Sequence, residues 1–188
     1  MKTLHLLTTT LCDRDCPHCC NKQMDLNKVK YVSDKDFKKC DTVCITGGEP
    51  ILYSNVVEIA RRIKIDYKHI KNIYVYANAY ELMQYFADNQ KPLFAVIDGV
   101  SVSIKNEKDY FAFFYYLHDL YDINLLKSNR LYVFDNLIKK EDVPKGWKYI
   151  SRSWQEKFKP AKNCIFRKIY GGIVWKNTCN KCLSLMIS

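Results

Sequence analysis

No stretch of this sequence approaches the ~20 consecutive apolar residues needed to cross a bilayer, which rules out a membrane-spanning helix on the sequence alone. Glycine and proline are sparse, 6 and 5 residues among 188, and nowhere gather with serine. No segment repeats another, so neither a low-complexity tail nor a solenoid is indicated. Met1–Leu11 has a single Lys2 and then a threonine-rich apolar stretch interrupted by His5. It runs into the charged segment 12–25 without a small-residue cleavage site, and reads as a core strand, not a signal peptide. Acidic residues are in deficit, 20 against 30 basic ones, for a net charge of +10. Such a surplus attracts an acidic partner, nucleic acid or a phosphorylated substrate. Yet the basic residues are spread along the chain instead of forming one block, and a solvated lysine-rich surface is the favoured account of them. Histidine is scarce: His5, His69 and His118 read as satisfied or surface residues, and only His18 falls within a motif.

What is present points to one compact unit. A chain of 188 residues, 48% apolar, suits a single domain that buries about 70% of its unfolded surface. Nine cysteines is an odd count that implies a reducing, cytoplasmic setting and metal or redox chemistry in place of disulfides. Short apolar runs at Thr3–Thr8, Thr42–Thr46, Asn72–Tyr76, Gly99–Ile104 and Arg130–Phe134 read as strands. Between them Ser33 reads as a helix N-cap, and Val56, Ile59, Ala60 and Ile63 form an apolar face at helical spacing. Further helices are expected over Tyr80–Asp88 and Lys108–Tyr121, the second apolar almost all round. This alternation predicts an α/β fold, a partial (βα) barrel of about five to six parallel strands with helices outside. Val143-Pro144 breaks the pattern after about five repeats. The core is expected over 1–150, with a cysteine-containing extension, 151–188, packed on it.

The most informative residues are Cys12, Cys16 and Cys19, a C-x3-C-x2-C array followed by Gly47-Gly48-Glu49-Pro50. Nine cysteines scattered at random would produce any one three-cysteine spacing about 0.02 times in such a chain. Three thiolates are one fewer than a 4Fe-4S cluster needs, which leaves one iron open. A structural zinc with Cys20 as fourth ligand is the alternative. The adjacent Cys19 and Cys20 make an awkward tetrahedral pair, however, and zinc does not account for the glycine turn.

The triplet followed by Gly-Gly-Glu resembles the signature of the radical S-adenosylmethionine (radical SAM) superfamily. The resemblance implies an enzyme in which Cys12, Cys16 and Cys19 hold a 4Fe-4S cluster whose fourth iron binds S-adenosylmethionine. An electron from a reductant protein such as flavodoxin or ferredoxin then yields a 5′-deoxyadenosyl radical that abstracts hydrogen from a substrate. It also implies cofactor-binding roles. Gly47, Gly48 and Glu49 border the methionine end, and His18 occupies the place of an aromatic near the adenine. Asn78 lies in Tyr76-Ala77-Asn78-Ala79, which looks like the family's TNG stretch with Ala77 and Ala79 departing from it. Ser103 belongs to a strand like the family's serine-containing one, with Lys105 a weaker candidate beside it.

The catalytic residues and the substrate stay unassigned. The small barrel is similar to glycyl-radical activases and to deazaguanine-type synthases, and an incomplete barrel would admit a protein loop or another large substrate. The C-terminal cysteines are similar to those of peptide-modifying enzymes. Cys164, Cys179 and Cys182 bracket an expected hairpin over Tyr170–Trp175 and look like a shortened SPASM or twitch segment. They suit a second iron-sulfur cluster or zinc, and equally suit reduced core thiols, with Cys20 a distant fourth ligand only if the tail folds back. Cys40 and Cys44 read as structural. The rival from another class is a non-catalytic zinc or iron-sulfur module that binds nucleic acid or carries electrons.

Overall fold

The computed structural model describes residues 2–16, 19–89, 93–153 and 162–169. The strands among them are β1 (Lys2–Leu7), β2 (Cys40–Thr46), β3 (Asn72–Asn78), β4 (Gly99–Ile104), β5 (Ser128–Phe134), β6 (Trp147–Arg152) and β7 (Cys164–Lys168). They form one sheet in the order β6-β5-β4-β3-β2-β1-β7, and every neighbouring pair is parallel. The outer strands β6 and β7 do not pair with each other, so the sheet is open. The helices are α1 (Cys20–Gln23), α2 (Asp34–Phe37), α3 (Pro50–Tyr53), α4 (Val56–Asp66), α5 (Ala79–Asn89), α6 (Glu107–Ala112) and α7 (Tyr121–Asn124). None among the described residues is long and apolar enough to cross a membrane.

Alternation along the strands separates two faces. Leu4, Leu6, Val43, Ile45, Ile73, Val75, Val102 and Val133 share one buried cluster with Phe37, Ile51, Ile59, Ile63, Leu82 and Ile123 from the helices. Each such side chain contributes roughly 1.5–3 kcal/mol by leaving water. The α4 face expected at Val56, Ile59, Ala60 and Ile63 is buried in this cluster, and Ser33 closes a capping box with Asp36 at the start of α2. The other face carries two laterally paired rows, His5, Cys44, Tyr74 and Gly99 in one and Tyr76, Ser101 and Arg130 in the next toward the strand ends. Rings from non-neighbouring strands meet across it. Tyr76 and Tyr132 bring their hydroxyls to 3.3 Å over the intervening β4, and His5 lies 5.9 Å from Tyr76 over β2. Strands two apart are separated by about 9–10 Å, so these contacts belong to the hollow side of a curled sheet.

Two expectations need correction. The sheet has seven strands, not five to six, because β6 is a regular parallel strand and β7 adds to β1 at the far edge. Both are half-buried edge strands interrupted by charge, Lys148 and Arg152 in one and Arg167 and Lys168 in the other, which hides their apolar pattern. Second, the helix expected over Lys108–Tyr121 divides. After α6 a wide π turn, Phe113–Leu117, buries both of its ends, His118 N–H donates to the Phe113 carbonyl at 3.1 Å, and α7 starts afresh at Tyr121. Phe111, Tyr115 and Tyr116 are left exposed, so this segment is not apolar all round in its use.

Candidate functional site

Because all strands are parallel, the segments that leave their C-terminal ends gather along one rim, where ligands of parallel sheets collect. Leaving β1, residues 8–11 continue beside the end of β2. Thr8 N–H donates to the Thr46 carbonyl, Gly48 N–H to the Thr9 carbonyl and Glu49 N–H to the Leu11 carbonyl, each at 2.9 Å. The approach is close enough to require the two glycines. A β-carbon on Gly48 would stand 1.8 Å from the Leu11 carbonyl oxygen, and one on Gly47 2.5 Å from that of Thr9. Neither takes the left-handed conformation. The backbone these glycines admit is therefore the strap that leads directly into Cys12.

The cysteine loop is pinned from within. Arg14, between the first two cysteines, donates from Nη1 and Nη2 to both Asp109 oxygens at 2.6 and 2.9 Å, and from Nη2 to both Glu81 oxygens at 2.9 and 2.8 Å. Asp109 is fully buried, and it also accepts from the backbone N–H groups of Tyr80 (3.2 Å) and Lys105 (3.0 Å). The loop is thereby tied to α5 and to the start of α6. Burial pushes the Glu81 carboxyl up against the opposing pull of Arg14, while the two carboxylates hold Arg14 firmly charged. Farther along the loop, Lys22 pairs with Asp15 on the surface.

The expected cofactor residues on the first strands of the rim meet one another. Ser103 Oγ donates to Asn78 Oδ1 at 3.0 Å, and Asn78 donates to Glu49 Oε2 from its side chain at 2.7 Å and its backbone at 3.0 Å. Glu49 also caps α3 through Ile51 N–H at 3.3 Å. Glu49 is 1% exposed, and burial raises its carboxyl to about 8 in spite of these donors. Lys105, just past β4, holds its Nζ 5.9 Å from the Phe134 ring centre.

Neither a protein-family model nor a curated protein matches this sequence.

The donor set of the triplet suits a soft metal centre. Cys12, Cys16 and Cys19 lie on one loop outside any disulfide, Cys12 exposed and the other two half-buried. Burial raises the Cys12 thiol, whose Sγ faces Asp13 Oδ1 at 3.8 Å. Among the described residues no group of three His, Cys, Asp or Glu side chains stands within metal-binding reach.

The other cysteines separate by environment. Cys40 and Cys44 are buried and their thiols are pushed up to about 11 and about 12, as unreactive core groups should be. Cys164 opens β7 beside Thr3, at the opposite end of the strands from the triplet, roughly 13 Å of strand away. Its expected companions Cys179 and Cys182, the hairpin over 170–175, and His18 lie outside the described residues. Sequence reasoning missed Arg14, Glu81 and Asp109. Only Asp109 carried a signal, since Asn106 three residues earlier marks a helix start and caps its N–H at 3.0 Å.

Proposed function

We propose that this chain is a radical SAM enzyme, with a 4Fe-4S cluster on Cys12, Cys16 and Cys19 and S-adenosylmethionine along the rim of the partial barrel. The observation that carries the reading is the direct pairing of the strap before Cys12 with the Gly47-Gly48-Glu49 turn, which makes the two halves of the motif neighbours on the ligand-collecting edge of a parallel sheet. Once bound and reduced, the cluster would supply one electron and S-adenosylmethionine the sulfonium carbon–sulfur bond that accepts it, the source of the hydrogen-abstracting group.

The chain's own residues supply position. Arg14 holds the cysteine loop against α5 and α6, Gly47 and Gly48 keep the strap close, and Glu49, Asn78 and Ser103 present a connected row of polar groups at the ends of three strands. Holding reactants in one geometry and keeping stray water away is the larger part of such catalysis.

The test is anaerobic reconstitution with iron and sulfide, reduction by dithionite in the presence of S-adenosylmethionine, and measurement of 5′-deoxyadenosine. The wild type is expected to form it and Cys16→Ala to form none. A cluster-bearing wild type that forms none would leave an electron carrier, and zinc without iron would leave the structural module.

A further inference from the structure

We infer that Arg130, on the hollow face of the sheet, binds the oxyanion of a small aromatic molecule, a carboxylate or phosphate carried on a ring. As a substrate subsite this rests on the enzyme reading above, whereas as an anion site it stands on the observations that follow.

Four arginines among the described residues are half-buried: Arg14, Arg62, Arg130 and Arg167. Three of them face carboxylates, Arg14 with Glu81 and Asp109 at 2.8 and 2.6 Å, Arg62 with Asp66 at 3.6 Å and Arg167 with Asp36 at 2.8 Å. Arg130 has none among the described residues; its contacts are the Tyr74 ring, 4.2 Å from its guanidinium carbon, and the Tyr132 hydroxyl. Withdrawing a guanidinium from water without a counter-charge is costly, and stacking on one ring offsets only part of that cost. A stacked guanidinium keeps its donor edge, which matches a planar carboxylate or a phosphate in a two-point contact.

A second observation is independent of the charge. Ser101, paired with Arg130 in the β4–β5 register and with Tyr76 in the β3–β4 register, is 1% exposed, and its Oγ has no hydrogen-bond partner among the described residues. An unsatisfied buried hydroxyl beside an uncompensated cation is what remains when a polar ligand group belongs between them. The face offers no internal substitute, because the strand positions level with Arg130 and in the next row toward the rim hold no Asp or Glu, and Lys148 adds a further positive charge next to Arg130. Tyr74, Tyr76 and Tyr132 line the same region, which favours a ring on the ligand. The Arg130 row lies about 7 Å below the row of Asn78 and Ser103, so a ligand anchored there extends upward to the rim.

Outside the described residues, Glu156 is the one acidic side chain in the sequence. It therefore enters the test as a competitor.

The experiment is calorimetric titration of the full chain, reconstituted and metal-free, with phenyl phosphate and benzoate as probes. Inorganic phosphate and acetate serve as ring-free anions and benzylamine as a ring-bearing cation. One ring anion is expected to saturate the wild type and to bind Arg130→Met at least tenfold more weakly, with the exposed Lys68→Met unchanged; the better of the two ring probes identifies the anion. Arg130→Lys, which keeps the charge and loses the fork, is expected to bind several-fold more weakly and carries the test if Arg130→Met fails to fold. Equal binding by wild type and both Arg130 variants, no binding of either ring anion, or equal binding of benzylamine would overturn the proposal. So would a Glu156→Gln chain that gains tenfold in affinity, since Glu156 would then be the partner of Arg130. A protein that binds the ring anion through Arg130 yet forms no 5′-deoxyadenosine keeps this site and loses the enzyme assignment.

Discussion

Two buried polar assemblies occupy the same rim and differ in the kind of order they impose. One is ionic: Arg14 bridges Glu81 and Asp109, joining a loop to two helices across long sequence separations. The other is a chain of amide, hydroxyl and carboxyl groups, Ser103 to Asn78 to Glu49, strung across neighbouring strand ends. A buried ion pair with every oxygen engaged tolerates loss of a member poorly, because the remaining charge is left without a partner. A hydrogen-bonded chain ending in a carboxyl that takes up or releases a proton within the ordinary pH range is more adaptable. The first assembly thus fixes where the cysteine loop sits, and the second holds the more strongly raised carboxyl of the two, Glu49.

The largest effect that would separate the two comes from Asp109→Asn. The amide nitrogen would face the donors of Arg14, and one of the backbone N–H groups of Tyr80 and Lys105 would lose its acceptor. A loss of about 3–5 kcal/mol in unfolding free energy is expected, read from the urea midpoint of the metal-free protein. A loss below about 1 kcal/mol would mean that the triad does not anchor the loop.

A pH series comes next. The Glu49 carboxyl is raised by burial from an ordinary value of 4.5 to about 8, so the folded state binds this proton more tightly than the unfolded chain does. The stability it contributes is fully present below about 4.5 and is lost as pH rises through about 8, at no more than about 1.4 kcal/mol per pH unit. Glu49→Gln is expected to flatten that fall between pH 5 and 8, measured as urea midpoints at successive pH values. A wild type whose stability does not decline across this window would place Glu49 among permanently charged groups and erase the contrast with the triad.

The difference between the assemblies also explains what could be read in advance. Strands β1 to β5 were visible because short apolar runs end at polar or glycine residues, as at Thr46-Gly47 and Asp98-Gly99. The strands β6 and β7 were obscured by their own charges, for which edge positions have room. Glu49, Asn78 and Ser103 came to notice because each stands in a short motif at a strand end, but that they would bond to one another depends on the strand register, which no local pattern reveals. Arg14 gave still less. Its partners are 67 and 95 residues away, and only the parallel arrangement of β1, β3 and β4 brings them to it. The unpaired state of Arg130 is likewise a property of the assembled face, since its strand reads as an ordinary alternation of buried and half-buried residues.

Ser103→Ala makes the finest test of the comparison. The hydroxyl donates to Asn78 Oδ1 at 3.0 Å, with the Ala77 carbonyl at 3.3 Å as its other acceptor, and Ser103 is only partly buried. Removing it leaves Asn78 Oδ1 short of one donor at a place water can approach, for an expected cost of about 1 kcal/mol in the urea midpoint. Both bonds from Asn78 to Glu49 remain, so the decline of stability between pH 5 and 8 is expected to keep its wild-type slope. A flattened slope in Ser103→Ala, like that of Glu49→Gln, would mean that the three residues respond as one unit. The chain would then be as tightly coupled as the ionic triad, and adaptability would no longer distinguish the two sides of the rim.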